Sequence, residues 1–438
     1  MTQAVAPGES IVDSSDIETL ISDDGEWISR RLWHDPALYR LEQTRVFGRS
    51  WLLLGHESQI REPGDFFLSS MGEDTVIVTR DQTGDIRVHL NTCRHRGMAV
   101  CRADHGNTRT FVCPYHGWSY GLDGRLAGLP NQKQSYLPDI DRARLGLIPV
   151  PRIDTFLGFI FANCDPDAMT LTEHLGDMAF YLETSLGRRA CGTEVLGIQK
   201  WRMRTNWKMP AENQVGDVAH GPVSHGSVLE IAGPDAMKPM NDILEHGRNV
   251  ALRGGHGLTV RLYPDDGSED RLPGEAALRE APGIAEYFRS VQPEAEARLG
   301  PLRARLKIAT ATVFPHLSLL GSNFTIRVAH PRGPMQSEIW SWVFVDRDAP
   351  PEVKHTLRQF YTLTFGPGGM FEQDDGENWE GVTGGAAGIQ AAGHPFHFGM
   401  GLGTEGPDPD LPGVVGTVYS EHTQRAMYRQ WQQLMLTP

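Results

Sequence analysis

The chain has 438 residues, room for roughly two or three domains of about 150 each, and a net charge of −14 from 41 Lys+Arg against 55 Asp+Glu. The acidic balance repels phosphate backbones and sets nucleic-acid binding aside, and no apolar run approaches the roughly 20 residues needed to span a bilayer. The N-terminal stretch lacks the basic and apolar regions of a secretory signal, and five scattered cysteines are too few and too odd for a disulfide framework, so a reducing, cytoplasmic setting is expected.

The first 35 residues are polar and acidic with little periodicity. Asp35-Pro36 reads as an N-cap followed by proline in the first turn, which predicts a short helix to about Phe47. From Trp51 to Cys164 the texture is β: Thr75–Thr79, Ile86–Leu90 and Leu157–Ala162 are strand-like, and turns fall at Pro63-Gly64-Asp65 and Asp123-Gly124. Beyond about residue 165 the pattern is mixed. Helices are predicted over 168–186, 207–221, 350–364 and 422–436. Strands are predicted at Glu194–Thr205, Ala311–Phe314, Phe324–Ala329 and Ile339–Val345, and a Gly/Pro/acid-rich loop over 264–285. In the last helix Met427, Trp431, Leu434 and Met435 share a face, which is read as core packing. The division expected is a segment over 1–40 packing on the C-terminal domain, an all-β domain over 41–165, and an α+β C-terminal domain over 166–438.

The segment from Asn91 to Gly124 carries the strongest signal: Cys93-x-His95, seventeen intervening residues, then Cys113-x2-His116. Each half offers one thiolate and one imidazole on a tight loop. Two such loops can clamp a two-iron cluster with the cysteines on one iron and the histidines on the other, and the neutral imidazoles raise its potential. Tetrahedral zinc is the competing reading, but these spacings fit zinc fingers poorly. Cys101, Cys164 and Cys191 have no histidine at ligand spacing and read as free thiols.

A second cluster runs through Glu212, Asn213, Asp217, His220 and His225. Five helical steps turn about 500°, so the two histidines do not share a helix face. Pro222 disfavours helix at Gly221 and lets a helix end after His220, with His225 folded back to the same point. Asp217 precedes His220 by three residues, on the same face of that helix. A third ligand is required, and the acidic run FEQDDGENWE offers Glu372, Asp374, Asp375 and Glu377. Two histidines and a carboxylate form the facial arrangement of non-haem Fe(II) oxygenases. There is no G-x-G-x-x-G fingerprint after a strand, so nicotinamide is not expected to bind this chain.

With both motifs in hand, the chain resembles the large (α) subunits of Rieske non-haem iron aromatic-ring hydroxylating dioxygenases, nearest to the naphthalene, biphenyl and polycyclic-hydrocarbon group, from about Trp33 onward. The order Asn206-Trp207-Lys208, Glu212-Asn213, Asp217-x2-His220-x4-His225 and then Asp374-Asp375-Gly376-Glu377-Asn378 carries the resemblance. It implies an α+β fold: an all-β Rieske [2Fe–2S] domain plus a helix-grip catalytic domain, an antiparallel sheet with helices. Cys93, His95, Cys113 and His116 would hold the cluster. His220, His225 and Asp375, the second aspartate of its motif, would hold a mononuclear Fe(II). Asp217 would hydrogen-bond His220 and reach His116 of a neighbouring subunit, and Asn213 would lie near the iron.

The implied activity is O2-dependent cis-dihydroxylation of an aromatic ring, with electrons from NAD(P)H through a reductase and ferredoxin. The implied assembly is α3, or α3β3 with a small β subunit. A Rieske monooxygenase or demethylase shares the ligand set and is the alternative; a pure electron carrier would lack the second iron. Gln214 and Gly221 depart from the family's usual aromatic or larger residues there, which implies a pocket of different size or polarity.

Overall fold

The computed structural model describes residues 13–136, 140–232, 237–263, 272–274 and 276–437. The chain forms two compact units, one from residues 47–171 and the other from residues 1–46 with 172–438.

The 47–171 unit is built from short antiparallel strands. Ile86–Leu90, Asp74–Arg80, Asp65–Met71 and His105–Asn107 form one sheet in that order; Thr110–Val112, Ser119–Gly121 and Leu126–Gly128 form a second; Arg152–Phe156, Phe159–Asn163 and Leu52–His56 form a third. The strand expected from Leu157 starts at Phe159, because Leu157 (φ 51°) and Gly158 (φ 86°) make the two-residue turn that joins Phe156 to its partner Phe159. Both turn residues take positive φ, the geometry that matches strand twist in a tight hairpin. Cys93 and Cys113 pack in one buried core with Phe66, Phe111, Trp118 and Tyr120.

The second unit is organised by an eight-stranded antiparallel sheet. Its order is Thr193–Met203, Ser337–Asp346, Thr325–Pro331, Leu317–Leu320, Leu306–Val313, Gly257–Leu262, Arg248–Ala251 and Val414–Thr417. The Lys208–Gln214 helix is tied to this sheet where the Thr312 hydroxyl donates to the Ala211 carbonyl at 2.8 Å. The Pro36–Arg45 helix, capped by Asp35, supplies Glu42 to the same unit. Glu42 and Lys208 are each 1 % exposed at the side chain and pair at 2.5 Å, while the Trp207 and Trp431 indole N–H groups donate to the same carboxylate at 2.8 and 2.7 Å. A buried ion pair holds only when its remaining lone pairs are satisfied, and the two indoles do that. Met427, Trp431 and Met435 of the His422–Leu436 helix are buried as expected.

Several expectations shift. The region 168–186 is two helices, Leu171–Leu175 and Met178–Leu186. The loop expected over 264–285 lies outside the described residues at 264–271 and 275; its described part holds a helical turn, Ala276–Arg279, and Ile284 opens a helix reaching Ala304. The helix predicted over 207–221 stops at Gln214. The backbone leaves helical geometry at Gly216, whose φ is 156°, a position that also has no room for a side chain because a Cβ would meet Thr423 Oγ1 at 2.6 Å. Pro222 therefore does not end a helix but sits in the first turn of a new one, Gly221–Ser224, where its missing N–H costs nothing. Among the described residues no helix is long and apolar enough to cross a membrane.

Candidate metal centres

The two halves of the Cys/His motif form loops of the same closure. The Cys93 N–H donates to Met98 O at 2.8 Å and the Gly97 N–H to Cys93 O at 2.9 Å; the Cys113 N–H donates to Trp118 O at 2.8 Å and the Gly117 N–H to Cys113 O at 3.0 Å. Gly97 and Gly117 take φ of 74° and 72°, positions that tolerate few other residues. The cysteines point into the core and are unbridged. The histidines stand at the tips, with the His95 and His116 rings 4.5 Å apart. Trp118 stacks on His95 at 5.0 Å, and His95 Nδ1 is buried without a hydrogen-bond partner. Buried thiols beside an imidazole nitrogen without a hydrogen-bond partner are a donor set suited to a metal centre, and the four residues fit a [2Fe–2S] cluster with two ligands of each kind.

Tyr120, which the sequence did not single out, lies beneath this loop. Its hydroxyl is 3.2 Å from Cys93 Sγ and accepts the Arg94 N–H at 3.1 Å. Burial, with the neighbouring Cys93, pushes the phenol pKa up, so it stays protonated and donates to the sulfur.

In the second unit His220 is the residue before the Gly221–Ser224 turn and His225 the residue after it. One short turn thus brings the rings to 5.2 Å between centroids. The Met370–Ala386 helix supplies the carboxylate: Asp375 Oδ1 lies 3.2 Å from His220 Nε2 and 3.3 Å from His225 Nε2. The three donors fall within 4.8 Å of one another. Asp375 Oδ1 is buried and makes no well-formed hydrogen bond. Two imidazoles and an orphaned buried carboxylate oxygen converging on one point fit a divalent metal ion.

The electrostatics agree. Burial works against charge on His220, but Asp217 and Asp375 outweigh it and push the imidazolium pKa up to about 10. Burial would raise Asp375, yet the two imidazoles hold it down to about 2. The site is arranged to hold positive charge between these residues.

The outer nitrogens fix the ring orientations. His225 Nδ1–H donates to the Asp374 carboxylate at 3.1 Å. His220 Nδ1–H donates to the backbone carbonyl of Asp217, while the Asp217 carboxylate stands 3.6 Å away, beyond a hydrogen bond. The side-chain bond expected from Asp217 is thus made by its main chain, because residues 215–220 turn rather than continue the helix. Asn213 Nδ2 lies 3.3 Å from the same ring nitrogen, and Gln214 Nε2 donates to Asn213 Oδ1 at 2.8 Å. Of the remaining acidic candidates, Glu372 pairs with Arg327 in the core.

A cavity of about 590 Å³ opens beside His220, His225 and Asp375, a size that suits a ligand of several rings. Gly221 is in its wall, and a Cβ there would meet the Met240 methyl at 2.5 Å, so the room gained by glycine is filled by a flexible thioether.

Comparison with known proteins gives the same two halves. Residues 50–151 match the Rieske [2Fe-2S] domain family and residues 192–437 the family of ring-hydroxylating α subunits, catalytic domain. The chain is 41 % identical to the biphenyl 2,3-dioxygenase α subunit of Rhodococcus jostii, covering 97 % of this chain and 92 % of the relative. It is 40 % identical to a benzene 1,2-dioxygenase α subunit of Pseudomonas putida, covering 97 % and 94 %. A naphthalene 1,2-dioxygenase structure with indole in its active site superposes with a TM-score of 0.88 at 32 % identity, covering 95 % of this chain and 94 % of that one. The chain belongs to the Rieske-type ring-hydroxylating dioxygenases as their large α subunit, the terminal oxygenase that adds O2 across an aromatic ring as a cis-diol.

Proposed function

We propose that His220, His225 and Asp375 hold the mononuclear iron of this dioxygenase, and that Cys93, Cys113, His95 and His116 hold its cluster. The observation that carries the reading is the convergence of two Nε2 atoms and the orphaned Asp375 oxygen beside a cavity large enough for an aromatic substrate. When bound, the iron supplies the redox chemistry that activates O2 and the cluster feeds it one electron at a time.

The protein's own residues prepare that point. Asp374 and the Asp217 carbonyl take the outer N–H groups of His225 and His220, so both Nε2 lone pairs face inward and neither ring can turn away. The Asp217 side chain, freed from holding His220, is 41 % exposed. We assign it the link between His220 and His116 of a neighbouring subunit, with Asn213 bordering the iron. The assembly is then a ring of three α subunits, alone or with three β subunits, working in the cytoplasm with a ferredoxin and an NAD(P)H-dependent reductase on an aromatic substrate.

The test supplies the purified protein with surrogate ferredoxin and reductase under oxygen-18 and screens aromatic hydrocarbons and acids. A cis-dihydrodiol carrying two labelled oxygens is expected. A product with one labelled atom identifies a monooxygenase and removes the dioxygenase assignment.

A further inference from the structure

Three residues in the wall of the cavity beside the iron site each carry a buried side-chain oxygen with no hydrogen-bond partner among the described residues: Gln214 Oε1, Thr310 Oγ1 and Asn323 Oδ1. Buried polar atoms are nearly always paired, so three such oxygens around one cavity need an account. The fold places them together. Thr310 and Thr312 are two apart on the Leu306–Val313 strand and project from the same face. Thr312 bonds the Ala211 carbonyl at 2.8 Å, which lays the Lys208–Gln214 helix over that face. Gln214 follows Ala211 by three residues and so lies on the same side of the helix. Thr310 also pairs with Leu320 on the neighbouring strand, and Asn323 ends the short turn Gly321–Asn323 that follows it.

The chemistry of these atoms is one-sided. Gln214 Nε2 already donates to Asn213 Oδ1 at 2.8 Å, so the end of that side chain left over is an acceptor. Asn323 Oδ1 is a second acceptor, and the Thr310 hydroxyl donates or accepts as its rotor allows. Such a wall calls for a hydrogen from the ligand. A bare hydrocarbon brings none and leaves the oxygens dry and unpaired. A carboxylate brings only more acceptors. A neutral hydroxyl fits both kinds of group: its hydrogen goes to an amide oxygen while its own oxygen accepts from Thr310.

We infer that the substrate is an aromatic compound carrying a neutral hydroxyl group, with a ring beside His220, His225 and Asp375 and the hydroxyl held among Gln214, Thr310 and Asn323. This rests on the dioxygenase reading and narrows its substrate class.

The experiment titrates the anaerobic holoenzyme by calorimetry with 2-naphthol, 2-methylnaphthalene and 2-methoxynaphthalene. The methyl compound matches the naphthol in shape and leaves water more readily, so tighter binding of the naphthol comes from hydrogen bonds in the site. The methoxy compound keeps the oxygen and lacks the donor. Binding of 2-naphthol about tenfold tighter than either is expected, with that preference reduced at least about threefold in Asn323→Leu or Thr310→Val. Equal binding of the naphthol and the methyl compound would show that water satisfies these oxygens, and overturns the inference. So does a methoxy compound that binds as tightly as the naphthol, a failure of all three to bind, or a preference unchanged in both variants. The wild-type comparison needs no variant, so a variant that fails to fold hides nothing. Labelled dihydrodiol formation is scored separately. Its absence counts against the dioxygenase reading, while the binding ratios still decide the substrate class.

Discussion

Asp374 accepts a hydrogen bond from His225 at 3.1 Å, while the next residue, Asp375, presents Oδ1 to the opposite nitrogen of the same ring at 3.3 Å. Neighbouring residues on a helix point about 100° apart, so one carboxylate reaches the point where the two Nε2 atoms converge and the other reaches behind the imidazole. Loss of such an outer partner typically lowers metal affinity roughly ten- to a hundredfold. Asp374→Ala is expected to lose mononuclear iron in that range while the cluster spectrum is unchanged. Asp374→Asn, which keeps an acceptor oxygen, is expected to retain more. Metal analysis after dialysis against a graded chelator series checks the order.

His220 is held by the main chain of Asp217, not by its carboxylate. Asp217→Asn is therefore expected to leave both metal centres fully loaded and to reduce product formation by about a hundredfold or more. Metal content, the cluster's electron paramagnetic resonance and single-turnover product yield separate these effects. Iron loss in parallel with activity would show that the side chain positions His220 after all.

The Tyr120 hydroxyl sits 3.2 Å from Cys93 Sγ. A hydrogen bond to a ligand sulfur stabilises the reduced, more negative cluster. A bond of about 0.5–1.5 kcal/mol corresponds to roughly 20–65 mV for one electron. Tyr120→Phe is expected to lower the cluster potential by that amount without loss of iron, measured by redox titration of the visible spectrum.

His256 is fully buried with its tautomer fixed: Nε2–H donates to His174 O at 2.8 Å, and Nδ1 accepts the Phe314 N–H at 2.9 Å. Burial pushes its pKa down to about 4 from 6.5, against a smaller opposing effect of the His174 carbonyl. Because the folded value is depressed, the stability linked to neutral His256 is complete above pH 6.5 and is lost as pH falls through about 4. The shift corresponds to about 3 kcal/mol. His256→Phe is expected to be less stable at pH 7, since it leaves the Phe314 N–H unpaired, yet to lose less further stability between pH 6.5 and 4. Urea unfolding across that range measures both.

Gly221 leaves space that Met240 fills at the cavity wall. Gly221→Ala is expected to displace the Met240 thioether and change substrate preference more than stability. The check is a ratio of kcat/KM values for a narrow and a broad aromatic, compared with the melting temperature.

Much of the site was legible before any coordinates. The paired Cys-x-His and Cys-x2-His loops need only local turns to present their donors, and Gly97 and Gly117 supply those turns. The short spacing of His220 and His225 likewise keeps them together through one turn. Other features were hidden because they depend on contacts distant in sequence. The helix expected through 207–221 breaks at Gly216, which takes a φ of 156° where Thr423 and Asn249, more than thirty residues away in the chain, leave no room for a side chain. Short strands such as Arg248–Ala251 and Val414–Thr417 carry little periodicity, and their pairing with each other exists only in the sheet.

The sequence by itself determined the donor types, their grouping into two centres, and the all-β and mixed character of the two regions, because these follow from local spacing and side-chain chemistry. Only the tertiary structure decided that Asp374 reaches the outer nitrogen of His225, that the main chain rather than the side chain of Asp217 steadies His220, and that Arg261 lies directly across the sheet from Lys307. Each of those depends on the rotation of a helix or the register of a sheet, and both are set by packing among segments far apart along the chain.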